Sequence, residues 1–176
     1  MLKKLLPIFI IAVFCTAFSI PEKIIKKADK VIGKFYQIKG FDKELIMVDE
    51  SSNAETPSEF SDENFFRILS NETLLGYGYI GKAPAKTTDF DFLVLFDKDF
   101  IITKSKVLVY REEYGGEIGS KRWLKQFIGT VAGAKELEYN QDIIPISGAT
   151  ISVQSMTRAM NDLLKSIAVL QKKSLL

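Results

Sequence analysis

Residues 65–111 carry four runs rich in aromatic and branched side chains, at 65–69, 73–81, 90–96 and 101–110. Such residues fit a pleated, half-buried surface, and runs of this length bounded by polar residues are strand signals. Asn71-Glu72 and Asp97-Lys98-Asp99 have the length of hairpin connections, whereas 83–89 reads as a longer polar loop. An antiparallel meander of about four strands follows. With that block in place, an all-helical fold is excluded, and the open question is what covers the sheet.

Two flanking segments answer it. In 150–170, Val153, Met156, Met160, Leu163, Leu164, Ile167 and Leu170 recur at three- and four-residue spacing, the mark of a long amphipathic helix. That spacing makes Met156 and Met160 core residues. In 21–38, Ile24, Ile25, Ala28, Val31, Ile32 and Phe35 share one helical face opposite a set of lysines. Pro21 suits the first turn and Gly40 follows the end. The expected class is α+β, an antiparallel sheet meander packed against a long C-terminal helix and an N-terminal helix. Smaller expectations complete the outline. Residues 44–48 read as a short strand, and 49–63 as an acidic, solvated loop with a short helical turn. Residues 120–128 read as a short helix capped by Ser120, with Trp123, Leu124 and Phe127 on one side, and 129–145 as mixed, with a brief strand at 135–138.

Ahead of these elements, Lys3 and Lys4 head an apolar stretch over 5–18, and Ala17 and Ser19 place small residues at the −3 and −1 positions of a cut before Ile20. This is the pattern of a signal peptide over 1–19, leaving a single domain over 20–176. The chain is therefore expected to be exported, to the periplasm or the outer face of the cytoplasmic membrane. The stretch is shorter than the roughly 20 apolar residues of a membrane span, so an uncleaved anchor is the alternative.

Composition narrows the chemistry. There is no histidine, and the single cysteine, Cys15, lies inside the apolar stretch. Histidine triads, the commonest zinc sites, disulfides, iron–sulfur clusters and thiol catalysis are thereby set aside. A net charge of +2, with no long basic stripe interleaved with aromatics, gives no ground for a nucleic-acid partner. Redox or group-transfer chemistry here calls for a bound organic cofactor or a carboxylate or hydroxyl site.

One stretch offers such a site. Ser147-Gly148-Ala149-Thr150 directly precedes the final helix. Glycine permits close ligand approach, and Ser147, Thr150 and Ser152 set hydroxyls where a helix has unpaired N–H groups. An anion there gains hydrogen bonds and the helix dipole. Ordinary side-chain capping is the competing account of the same residues.

The run Ser147-Gly148-Ala149-Thr150-Ile151-Ser152, followed by an amphipathic helix, resembles the FMN-binding domain family. That family includes the flavin-carrying subunits of sodium-pumping NADH:quinone reductase and of related ferredoxin-linked ion pumps. The resemblance implies FMN as cofactor, joined through its phosphate to Thr150 by a separate flavin transferase. A second stretch, Glu113-Tyr114-Gly115-Gly116-Glu117-Ile118-Gly119, then Trp123 and Gln126-Phe127-Ile128-Gly129, is similar to the family's glycine-containing loop before a tryptophan helix. It implies Tyr114, Gly115, Gly116, Glu117, Ile118 and Trp123 as flavin neighbours. On the residues alone, Trp123 is either core or a surface facing the ring, and Glu117 either bonds the flavin or caps its loop. The family motif has an acidic residue three positions before the serine; here that place is Ile144, with Asp142 two residues further back.

No residue set suggests action on a specific organic substrate, so an electron carrier is expected, with redox proteins or a membrane electron-transport complex as partners. The alternatives are a noncovalent FMN reductase of a small acceptor, and an exported partner-binding module that has lost flavin.

Overall fold

The computed structural model describes residues 19–176; nearly all of the leader read over 1–19 lies outside the described residues. The elements run α1 (Glu22–Tyr36), β1 (Asp42–Leu45), α2 (Glu50–Asn53), β2 (Phe65–Ser70), β3 (Thr73–Pro84), β4 (Asp89–Phe96), β5 (Ile102–Val109), α3 (Lys121–Leu124) and α4 (Thr150–Lys172). The five strands form one sheet in chain order with every pair antiparallel. The α+β meander expected from the sequence is the fold observed.

Both faces of the sheet are covered. Ile24, Ala28 and Ile32 of α1 pack with Phe66, Ile68, Ile80, Leu93, Leu95 and Leu108 on one face. On the other, Val153, Met156, Met160, Leu163 and Ile167 of α4 pack with Phe65, Tyr79, Phe90, Phe92, Val94 and Phe96. This explains why 90–96 is apolar almost throughout except for Asp91: a strand covered on both sides has no solvent face to fill with polar residues. The hairpin at Asn71-Glu72 turns with both residues in the left-handed region (φ 48° and 63°), matching the twist of its strands.

Three local expectations are corrected. The first strand lies at Asp42–Leu45, pairing Lys43 with Ile68 and Glu44 with Arg67, and Ile46 then turns into the core. The loop read over 83–89 shrinks, because Ala83 pairs with Phe90 and Pro84 with Asp89 at the end of the β3–β4 ladder. No strand forms at 135–138; only isolated bridges occur in this region, Ile101 to Val131 and Tyr139 to Ile143. The reason is visible in α4. The Asn161 amide accepts from Leu137 N at 2.9 Å and donates to Leu137 O at 2.9 Å, so one side chain satisfies the backbone pair that a partner strand would have taken.

Candidate functional site

The start of α4 is built without a side-chain cap. Gly148 takes φ +74°, Ala149 is the capping residue (φ −130°, ψ 24°), and among the described residues no side chain accepts from the first turn. Capping therefore does not explain the serines and threonine here. Among the described residues nothing accepts from the N–H groups of Thr150, Ile151 or Ser152, and these groups sit at the positive end of a 23-residue helix. Thr150, Ser147 and Gly148 are exposed around them. Ser152 points the other way. It is buried, and its hydroxyl is 3.0 Å from the Tyr110 hydroxyl at the exit of β5.

That bond is one of several ties drawing the two sequence stretches together. Gly115 has φ +79°, and a methyl group placed on it would stand 2.5 Å from the Ala149 Cβ and 3.1 Å from the Tyr110 hydroxyl. The glycine loop and the motif are in direct contact there, and only glycine fits on the loop side. Further along, Trp123 Nε1 donates to Ile144 O at 2.8 Å and Ile144 N donates to Gln126 Oε1 at 2.7 Å. The segment leading into the motif is thus fastened to α3 and the 3-10 turn that follows it.

Between these walls lies a cleft of about 310 Å³, with Glu117, Arg122 and Trp123 on one side and residues 144–146 on the other. That volume sits at the small end of the usual ligand-site range. Trp123 is a core residue, 6% exposed and edge-on to Phe127, and its remaining surface lines the cleft. Large apolar side chains stand unusually exposed nearby in the chain, Tyr114 at 71%, Ile144 at 66% and Ile151 at 51%. Single exposed apolar side chains are ordinary on a protein surface, but all three of these lie in or beside the two motif stretches.

The remaining residues sort by depth. Ile118 is fully buried and anchors the glycine loop, while Gly116 is open, with nothing near where a side chain would be. Glu117 is exposed and paired with Arg122 at 3.4 Å. Glu112 accepts from Thr87 N and Thr88 N at 2.7 and 3.3 Å and from the Thr87 hydroxyl at 2.9 Å, tying the loop to the β3–β4 turn. Those donors, the Thr87 backbone first, hold its carboxyl below the usual range. Asp142 does not stand in for the family's acidic residue. Its carboxylate accepts from Glu138 N at 2.9 Å within its own turn, with Lys135 at 3.8 Å. Sequence reasoning missed Tyr110, which lies in an element read as structural and acts through Ser152, 42 residues away, and Arg122, whose pairing with Glu117 no motif marks.

Residues 85–165 match the family model described as the FMN-binding domain. This stretch of the chain is an FMN-binding domain. It runs from the β3–β4 turn into the last third of α4, and it contains both motif stretches. FMN is the cofactor such a domain takes, and the residues present fit it. An uncapped helix terminus could supply N–H donors for a phosphate, and a cleft rimmed by Trp123 and Ile144 could supply apolar surface for the ring. No curated protein matches the chain.

Proposed function

We propose that the protein is an exported electron carrier whose FMN is esterified through its phosphate to Thr150. The observation that carries this reading is the exposed Thr150 hydroxyl at a helix terminus whose N–H groups have no acceptor among the described residues. Bound FMN would supply one- and two-electron chemistry. The chain's own part is holding and shielding. The N–H groups of Thr150 and Ile151 would hold the phosphate, Gly148 would leave space beside them, and Trp123 with Ile144 would shield the ring from water. Ser152 and Tyr110 act from behind, fixing the first turn of α4 against β5.

An ester at Thr150 leaves the ring chemistry untouched and prevents loss of cofactor where none is resupplied. That is the advantage expected of a carrier in the periplasm or on the outer face of the cytoplasmic membrane, and it requires a flavin transferase as partner. Redox proteins, singly or within a membrane complex, are the remaining partners. The sequence of the leader supports export.

Mass spectrometry tests the attachment. Protein co-produced with a flavin transferase and then denatured is expected to keep an increment equal to FMN minus water, and Thr150→Val should abolish it with the fold intact. An increment that survives the substitution sinks the assignment. A second reading keeps FMN noncovalent, and Ile144 in place of the acidic residue favours it. Complete release of flavin from denatured wild-type protein would establish that form.

A further inference from the structure

Away from the cleft, the fold assembles a charged face that no single sequence segment shows. Lys27, Lys30 and Lys34 follow one another at three- and four-residue spacing along α1, so they share one side of that helix. Lys104 and Lys106 of the edge strand β5 stand opposite Leu95 and Leu93. Those two leucines pack under α1, which puts both lysines on the sheet face that α1 covers. The two sets meet along a seam. Lys27 Nζ donates to Leu108 O at 3.2 Å, and Lys104 Nζ lies 5.9 Å from the centre of the Phe35 ring. At the far end Lys106 donates to Gly119 O at 3.4 Å, just before α3, whose first residue is Lys121.

None of these six lysines has a carboxylate within 4 Å among the described residues, although acidic and basic residues nearly balance over the chain (22 against 24). The segregation carries an electrostatic cost. Burial of its stem, then the nearby charges of Lys121, Lys106 and Lys34, hold the Lys104 ammonium below its ordinary range. A surface that keeps like charges together in this way is relieved when an anionic surface covers it.

We infer that the lysine seam docks an acidic electron-transfer protein and holds it beside the FMN cleft. Position selects this occupant over an anionic bilayer. The seam ends on α3, and the next two residues of α3, Arg122 and Trp123, line the cleft. A partner resting on the seam would therefore lie beside the cleft, a placement that a lipid surface has no use for. This inference rests on the electron-carrier reading.

Equilibrium binding to two probes, acidic soluble cytochrome b5 and basic cytochrome c, tests it with flavin-loaded and flavin-free protein alike. Cytochrome b5 is expected to bind at about 0.01 M ionic strength and to weaken by roughly tenfold or more at about 0.15 M, as the screening length falls from about 30 to about 8 Å. Cytochrome c should not bind. Lys30→Glu with Lys34→Glu, both exposed on α1, should remove the cytochrome b5 complex. Lys86→Glu with Lys172→Glu makes the same charge change elsewhere and should preserve most of it, circular dichroism confirming that both variants fold. Equal loss in both pairs, or binding of vesicles of anionic phospholipid through the seam without binding of cytochrome b5, overturns the inference. Salt-sensitive docking without electron passage from reduced protein to cytochrome b5 would instead sink the carrier reading and leave the docking surface standing.

Discussion

The contact between Gly115 and Ala149 joins the glycine loop to the motif before α4, so Gly115→Ala is the substitution that probes it most directly. Two costs can be separated. Alanine at φ +79° bears the left-handed penalty, about 1–2 kcal/mol. Its methyl group would also lie 2.5 Å from the Ala149 Cβ and 3.3 Å from the Ala149 Cα, and forcing a methyl into packed surroundings costs about 1–3 kcal/mol. The sum is about 2–5 kcal/mol. Neighbouring glycines isolate the components. Gly148→Ala has the backbone penalty alone, since φ is +74° with open space around it. Gly116→Ala has neither, and is expected to be neutral or stabilising by up to about 1 kcal/mol. Adding Ala149→Gly to Gly115→Ala removes the closest contact and should restore about 1–2 kcal/mol beyond additivity. Urea unfolding followed by fluorescence reports the effect at the site, because Trp123 is the only tryptophan. FMN retention should fall in the same order. If Gly115→Ala costs no more than Gly148→Ala, or the double variant shows no coupling, the loop and the motif are not in contact and the site is built incorrectly.

Ser152→Ala should cost about 1–2 kcal/mol in urea unfolding by leaving the half-buried Tyr110 hydroxyl without its partner, while Tyr110→Phe with Ser152→Ala should cost less than the sum of the two. Asn161→Ala removes both bonds to Leu137 and should cost about 1–3 kcal/mol, with hydrogen exchange rising at Leu137 ahead of the rest of the fold. Burial pushes the Tyr79 phenol up to about 12. Its unfolded form loses the proton near pH 10, so the folded state binds the proton more tightly and stability falls as pH rises between about 10 and 12, by roughly 2–3 kcal/mol in all. Tyr79→Phe should lie below wild type near neutrality, having lost the bond to Glu59 O, yet escape that part of the alkaline loss. Parallel pH profiles for the two proteins would refute this account.

The sequence by itself determined the sheet, the two packing helices and the resemblance to an FMN-binding domain. Each of these is a local signal: alternation or apolar runs for strands, three- and four-residue spacing for α1 and α4, and six consecutive residues for Ser147 to Ser152. Tertiary structure decided what those signals meet. That Gly115 faces Ala149, that Tyr110 occupies the Ser152 hydroxyl, and that Asn161 replaces a strand at Leu137 are contacts between residues 24–42 positions apart. Periodicity carries no information at that range. The same holds for charge. Read along the chain, the lysines are scattered and show no basic stripe; folding sets α1 beside β5 and α3, and only then do they form one surface. Local energetics fix which elements exist, whereas close packing of distant side chains fixes which groups share a site.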